Sequence, residues 1–116
     1  MLERGEIWVA DLNPRRGTEP GKTRPVLIVQ AQALLDAGHP STLVAPLTTS
    51  LVENAYPLRI RIAATGGLQR DSDALIDQLR AIDNRRLIRG PLARLGPRVM
   101  RQVGQALLDV LDLADE

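Results

Sequence analysis

The run Pro25 to Gln30 (PVLIVQ) decides the fold class of this 116-residue chain. A short, continuous apolar run predicts a strand that is buried on both faces. Before it, Glu6 to Leu12 (EIWVADL) alternates enough to form another strand, and residues 13–22 between the two (NPRRGTEPGK) are dense in Gly, Pro and charge, which predicts a long loop. After it, Thr42 to Thr48 (TLVAPLT) predicts a third strand, in which Pro46 favours a sheet edge or a bulge.

The rest of the chain predicts further strands and one terminal helix. Leu58 to Ala63 (LRIRIA) has the clearest period-two alternation and places Arg59 and Arg61 on one face. Gly96-Pro97 predicts a helix start, and apolar residues follow at helical spacing up to Leu111. The weaker predictions are a short helix at 31–37, a strand within 73–82, a helical turn at 85–89 and a short strand at 92–95. Because strands do not alternate with long helices, a small, strongly bent barrel of antiparallel strands is favoured over a parallel sheet.

The composition excludes several kinds of chemistry. The chain has no Cys, which excludes disulfides, thiolate metal sites and thiol nucleophiles. His39 is the only histidine, so cleavage by a pair of histidines is excluded as well. Trp8 and Tyr56 are the only aromatic residues, which argues against a surface that stacks bases on several rings. No apolar signal segment or membrane-spanning run is present, so we expect a cytoplasmic protein without a membrane partner.

The positive charge is almost entirely arginine. Of 15 basic residues 14 are Arg, and ten of these lie between Arg59 and Arg101, where only four acids occur. Guanidinium groups suit phosphate geometry. A solvated surface with ion pairs and a surface for an anionic partner both remain open.

The segment Gly17 to Thr23 (GTEPGKT) has a superficial likeness to a phosphate-binding loop. A P-loop has four residues between its glycines, and a helix follows its Lys. Here three residues separate Gly17 from Gly21, and Arg24-Pro25 leads into a strand. We therefore exclude nucleoside triphosphate binding.

Three carboxylates have two interpretations. Asp71, Asp73 and Asp77 could offer oxygen ligands to a hard cation. Asp and Ser commonly start strands and turns, and Arg70 and Arg80 lie near enough in sequence to pair with these acids, which favours a structural role. Their spacing is not diagnostic of a metal site.

Thr48 and Arg24 also have two interpretations each. The hydroxyls of Thr48, Thr49 and Ser50 could bind a phosphate or complete a turn. Arg24 precedes Pro25, which holds the backbone extended, so its guanidinium could hold an anion or a structural ion pair.

Five motifs lie in order along the chain. They are Arg4-Gly5-Glu6-Ile7-Trp8 with Asp11-Leu12-Asn13-Pro14; Gly17-Thr18-Glu19 with Thr23-Arg24-Pro25-Val26-Leu27-Ile28-Val29; Ala45-Pro46-Leu47-Thr48-Thr49-Ser50; Arg70-Asp71-Ser72 with Asp77-Gln78-Leu79-Arg80-Ala81-Ile82-Asp83; and the helix that ends at Leu111. In order and spacing they resemble the MazF/PemK family of toxin–antitoxin ribonucleases, and the resemblance covers essentially the whole chain.

The resemblance implies a fold, an activity and partners. The fold is mainly β: one domain, residues 1–116, forming a small SH3-like barrel of antiparallel strands with a C-terminal α-helix, paired as a homodimer. The activity is sequence-specific cleavage of single-stranded RNA without a metal or other cofactor, blocked by a cognate antitoxin. In the implied reaction a ribose 2′-hydroxyl attacks the adjacent phosphate and leaves a 2′,3′-cyclic phosphate and a 5′-hydroxyl end.

The resemblance also implies residue roles. Arg24 would stabilise the charge of the phosphorane transition state, and Thr48 would hydrogen-bond the phosphate. Glu19 is our candidate for accepting the 2′-hydroxyl proton, although pairing with Lys22 or an Arg would explain it equally well. The residues implied to line the RNA groove are Thr18, Thr23, Thr49, Asp77 and Gln78.

Two departures from the family leave the proton transfers open. Some relatives carry a basic residue two positions before the Asp-Gln pair, where this chain has Leu75, and others carry His before the Arg, where it has Thr23. Arg24 is therefore expected to be more isolated. Two other functions remain to be separated: a non-enzymatic poison of DNA gyrase, as in the related CcdB toxins, and an RNA- or protein-binding module without catalysis.

Overall fold

The computed structural model describes residues 1–14, 16–19 and 22–115. Within these residues the chain forms one sheet of seven strands, and all its strand pairs are antiparallel. The strands are β1 (Glu6–Asp11), β2 (Thr23–Ile28), β3 (Ser41–Thr48), β4 (Arg59–Ile62), β5 (Ser72–Leu75), β6 (Arg80–Asp83) and β7 (Leu87–Arg94). The helices are α1 (Gln32–Asp36) and α2 (Pro97–Val110), with single 3₁₀ turns at Ile76–Gln78 and Asn84–Arg86. The predicted mainly β fold with a C-terminal helix is confirmed.

β3 is the central strand of the sheet. It pairs with β2 on one side, and on the other side with β6 and then with β5. Pro46 lies between Val44, the last residue paired with β6, and Leu47, the first paired with β5. The sheet edge predicted from Pro46 was wrong, because β3 is a central strand. Proline has no N–H to donate, and Pro46 lies where the partner of β3 changes from β6 to β5.

The two ends of the sheet are brought together into a bent, barrel-like shape. The strand order along the sheet is β4-β5-β3-β2-β1-β7. After β4 a turn carries Gly67 against β7, where its N–H donates to the Leu92 carbonyl oxygen at 2.6 Å. The backbone approaches so closely there that a Cβ on Gly67 would lie 3.0 Å from the same oxygen.

β2 is buried on both faces, as its apolar run predicts. Leu27 packs into the larger core cluster together with Met100 and Val103 of α2. Val26 and Ile28 point the other way and pack into a second cluster. Two cores of aliphatic residues therefore hold the strand that leads from Arg24.

α2 starts at Pro97, as predicted, and buries Met100, Val103 and Ala106 against the sheet. It ends at Val110, and the side chain of Leu111, which the sequence pattern placed on the apolar face, is half exposed. No helix among the described residues has the length and apolar character needed to cross a membrane.

Between β4 and α2 the predicted boundaries were only partly right. The strand predicted within 73–82 is two strands separated by a 3₁₀ turn, and the helical turn predicted at 85–89 starts earlier. It starts earlier because the side chain of Asp83 accepts a hydrogen bond from the Arg85 N–H at 2.8 Å. The short strand predicted at 92–95 is the end of the longer β7, whose pairing with β1 a local pattern does not show.

Candidate functional site

Arg24 and Thr48 face each other where β2 and β3 end. The register pairs Val26 with Pro46, and two residues further along the same register Arg24 lies opposite Thr48. The Arg24 guanidinium Nη1 donates a hydrogen bond to the carbonyl oxygen of Leu47 at 3.3 Å. A half-buried cation is thereby held beside the residue that carries the hydroxyl.

The hydroxyl of Thr48 completes a turn and keeps its own proton for a further contact. Its Oγ1 accepts a hydrogen bond from the N–H of Ser50 at 3.1 Å. The turn interpretation of the hydroxyl cluster is therefore confirmed for Thr48. Because a hydroxyl is both donor and acceptor, its O–H can still donate to an anion in front of it.

Arg24 and Thr48 line a cleft of about 390 Å³ with Thr23 and Thr49. The same cleft is lined by Arg70 and Arg89, which the sequence did not indicate as site residues. Arg70 belongs to a motif recognised in the sequence but was considered there only as an ion-pair partner. Arg89 lies on β7, and only the pairing of β7 with β1 brings it to this place.

The other predicted groove residues line a second cleft. Thr18, Asp77 and Gln78 lie around a space of about 370 Å³, together with Arg59 and Leu58. The predicted site residues are thus divided between two clefts. Ser72 and Leu75, at the two ends of β5, line the first and the second cleft respectively.

Glu19 lines neither of these two clefts. Its side chain is exposed, and its backbone N–H donates to the Arg16 carbonyl oxygen at 2.9 Å. Of the predicted loop 13–22, the residues Arg15, Pro20 and Gly21 lie outside the described part of the chain.

An ion-pair cluster around the buried carboxylate of Asp73 involves two partly exposed arginines, Arg59 and Arg61. Asp73 is paired in register with Thr48 on one side and with Arg61 on the other. Its Oδ1 accepts from Arg61 Nε at 2.6 Å, and its Oδ2 accepts from Arg59 Nη1 at 3.2 Å and from the Val52 N–H at 2.9 Å. Burial alone would raise the pKa of this carboxyl, but the hydrogen bonds from Arg61, Val52 and Arg59 outweigh it, so the pKa is lowered.

This cluster favours the ion-pair interpretation for Asp73. Both oxygens of Asp73 are occupied by guanidinium groups, and the partners are Arg59 and Arg61 rather than Arg70 and Arg80. Asp71 accepts a hydrogen bond from the N–H of Ala64 at 2.8 Å. In the described part of the chain no three His, Asp or Glu side chains lie together as a metal site would require.

Comparison with known proteins shows which family the chain belongs to. Residues 3–111 match the family model described as PemK-like, MazF-like toxin of type II toxin–antitoxin systems. The chain belongs to this family. It is 37% identical to endoribonuclease MazF9 of Mycobacterium tuberculosis, over 97% of this chain and 98% of that protein. It is 35% identical to endoribonuclease EndoA of Bacillus subtilis, over 99% of this chain and 98% of that protein.

Solved structures of MazF toxins share the fold. Toxin MazF-mt6 of Mycobacterium tuberculosis is similar with a TM-score of 0.77 and 24% identity, over 95% of this chain and 99% of that one. MazF of Deinococcus radiodurans gives a TM-score of 0.78 and 23% identity, over 96% of each chain. The family and the barrel expected from the sequence motifs are both confirmed.

Proposed function

We propose that this member of the family is an endoribonuclease toxin that cuts single-stranded RNA at short specific sequences without a metal. The named activity of MazF9 and EndoA, which match over nearly the whole chain, supports RNA as the substrate. A solved MazE–MazF structure of Deinococcus radiodurans, similar in fold with a TM-score of 0.74, supports a cognate antitoxin as the partner. We further propose that residues 1–116 act as one domain and that the toxin is a homodimer.

One observation carries the proposed chemistry: the guanidinium of Arg24 is hydrogen-bonded to Leu47, directly beside the hydroxyl of Thr48. A phosphate in this cleft would meet a fixed cation and a hydroxyl donor together. Charge-assisted hydrogen bonds of this kind strengthen as negative charge develops on the phosphate oxygens. Arg24 and Thr48 therefore favour the phosphorane over the ground state of the RNA.

In the proposed reaction the 2′-oxygen forms a bond to phosphorus and the bond from phosphorus to the 5′-oxygen breaks. The 2′-hydroxyl proton passes to a base, for which Glu19 is our candidate. The departing 5′-oxygen takes up one proton from solvent water, which the protonated base later replaces. Arginine stays protonated at neutral pH, so Arg24 is suited to support the leaving oxygen rather than to act as the base.

The second cleft is proposed to read the bases. Asp77 and Gln78 offer a carboxylate and an amide, which hydrogen-bond the edges of unpaired bases, and Thr18 adds a hydroxyl. Thr23 and Thr49, in the first cleft, are proposed to bind phosphate oxygens. RNA that lies along both clefts would pass over Arg59, which lines the second one.

We expect Arg24→Ala to lower the cleavage rate of a long unstructured RNA by at least about 100-fold, the loss typical of removing one transition-state donor. Thr48→Val should lower the cleavage rate by a smaller factor, because it removes a neutral hydrogen-bond donor. The assay is run in excess EDTA, and 2′,3′-cyclic phosphate ends are quantified. Glu19→Gln in the same panel should lower kcat by about 100-fold if Glu19 is the base.

Arg101→Ala, on the exposed side of α2, is the matched control and should cleave as the wild type does. Equal cleavage by the wild type and Arg24→Ala would contradict the proposal. A strict Mg²⁺ requirement would contradict metal independence. A wild type that cleaves no RNA but inhibits DNA gyrase would favour the non-enzymatic alternative.

A further inference from the structure

The cleft around Arg24 and Thr48 holds more positive charge than the proposed catalytic groups account for. Arg70 and Arg89 line it together with Arg24, and no Asp or Glu is among its described lining residues. Both additional arginines are exposed to solvent. The cleft therefore presents three cations to whatever enters it.

Three different parts of the fold supply these cations. Val9 pairs with Pro25 of β2 on one side and with Arg89 of β7 on the other, so these three residues form a row across the sheet. Residues paired across antiparallel strands point to the same face, and two strand spacings amount to about 10 Å. Arg89 thus lies across the cleft floor from the residue that follows Arg24.

Arg70 approaches from the other side. It lies just before β5, whose Asp73 is paired with Thr48. The hydroxyl of Ser72, itself a residue of the cleft wall, donates to the Arg70 carbonyl oxygen at 3.0 Å and so fixes the backbone there. Arg70 and Arg89 thus line the Arg24 cleft from two different parts of the chain, the segment before β5 and β7.

Several arginines outside the cleft make side-chain hydrogen bonds or ion pairs that Arg70 and Arg89 in the cleft do not make. The side chains of Arg59, Arg61, Arg85, Arg86 and Arg94 are held by carboxylates or backbone carbonyls. Among the described residues, the guanidinium groups of Arg70 and Arg89 make no hydrogen bond and no ion pair. Arg98 and Arg101 on α2 share this property, but they do not line the cleft, which makes them suitable controls.

We propose that Arg70 and Arg89 bind the phosphodiester groups on either side of the scissile phosphate and so align the RNA backbone over Arg24 and Thr48. The proposal rests on the proposed ribonuclease function, because it uses the same cleft. It assigns the two arginines to the backbone and not to the bases.

The test measures how binding depends on salt. Each phosphate contact to a single strand contributes about 0.7 to the slope of log affinity against log salt concentration. Arg70→Ala and Arg89→Ala should each lower that slope by about 0.7 for a single-stranded deoxyoligonucleotide, which lacks the attacking 2′-hydroxyl. The salt slope of the double variant should be lower by about 1.4 if the two sites are independent.

Kinetics on a cleavable RNA separate the backbone role from other roles. Each single variant should raise KM about five- to tenfold. It should weaken the binding of all RNA sequences alike and leave the cleavage motif unchanged, as expected for a phosphate contact. Arg70→Lys and Arg89→Lys should restore most of the salt slope. Arg98→Ala and Arg101→Ala should match the wild type in slope and KM, and melting temperatures check that each variant is folded.

The outcomes distinguish this proposal from the proposed function. A wild type that neither cleaves RNA nor binds the oligonucleotide overturns the function itself. If the wild type cleaves and Arg24→Ala does not, while both alanine variants keep the wild-type slope and KM, only the backbone proposal is overturned. A changed cleavage motif would overturn it too, because it would place these arginines on bases.

Discussion

Asp73 shows at the scale of one residue how the turn after β3 is fixed. Its side chain is 1% exposed, yet it accepts hydrogen bonds from two arginines and from the Val52 N–H. Arg59 also donates to the Ser50 carbonyl oxygen at 2.8 Å. The turn that carries the Thr48 and Thr49 hydroxyls is therefore held by contacts that converge on one carboxylate.

We expect Asp73→Asn to lower the free energy of unfolding at pH 7 by about 1–3 kcal/mol, because it removes a charged acceptor from partly solvated arginines. An aspartate in an unfolded chain titrates near pH 3.9, and the pKa of Asp73 is lower in the fold. A lowered pKa adds stability that is fully present above the unfolded value and is lost as the pH falls through the folded value. Urea midpoints of wild type and variant should therefore converge as the pH is lowered from 5 towards 2.

Asp112→Asn is the matched control for this experiment. Asp112 is exposed at the end of α2, and its positive φ of 57° suits Asn as well as Asp. Its unfolding midpoint should stay close to that of the wild type. A gap between wild type and Asp73→Asn that stays constant with pH would contradict the assigned role.

At the scale of elements, α2 and β7 each contain a glycine. Replacing each glycine by alanine should change the free energy of unfolding in opposite directions. A Cβ at Gly104 would meet no atom within 4 Å, whereas a Cβ at Gly90 would lie 2.5 Å from Cδ2 of Trp8. Gly104→Ala should raise the free energy of unfolding by about 0.5–1 kcal/mol by stiffening the helix. Gly90→Ala should lower it by about 1–3 kcal/mol by forcing the indole away.

Denaturant unfolding of both variants under the same conditions measures the difference. The two substitutions are chemically identical, so each serves as the control for the other. Destabilisation of similar size in both would show that the helix does not tolerate a side chain at Gly104.

The same two elements show how far the sequence predicts the structure. α2 and β4 follow from hydrophobic periodicity, and β2 from its apolar run, because each pattern is local. β7 was underestimated because its pairing with β1 does not show in a local pattern. The space at Gly90 is taken up by Trp8, which packs against it. Their positions at strand ends left two interpretations open for Arg24 and Thr48, and the family resemblance supplied their proposed roles. The position of Arg89 depends on a pairing with β1 whose register shifts on both sides of Val9.

At the scale of the whole molecule, several large apolar side chains are exposed, and burying them would favour the proposed homodimer. Large apolar side chains are exposed around the end of α2 and in the segment after β3. Monomeric proteins seldom expose large contiguous apolar patches. These residues are Leu108, Leu111, Leu113, Tyr56 and Leu58. Sedimentation equilibrium should give twice the chain mass of 12.7 kDa, and the melting temperature should rise with protein concentration. A mass of one chain at all micromolar concentrations would contradict the dimer.

The pairing of Glu6 with Arg94 has a consequence for how such a protein is made. Walls of the Arg24 cleft come from Val9 near the start of the chain and from Leu92 near its end. A nascent chain on the ribosome cannot assemble this cleft until β7 has left the exit tunnel. If the substrate is RNA, a chain that is still being synthesised cannot cut its own message before β7 has paired with β1.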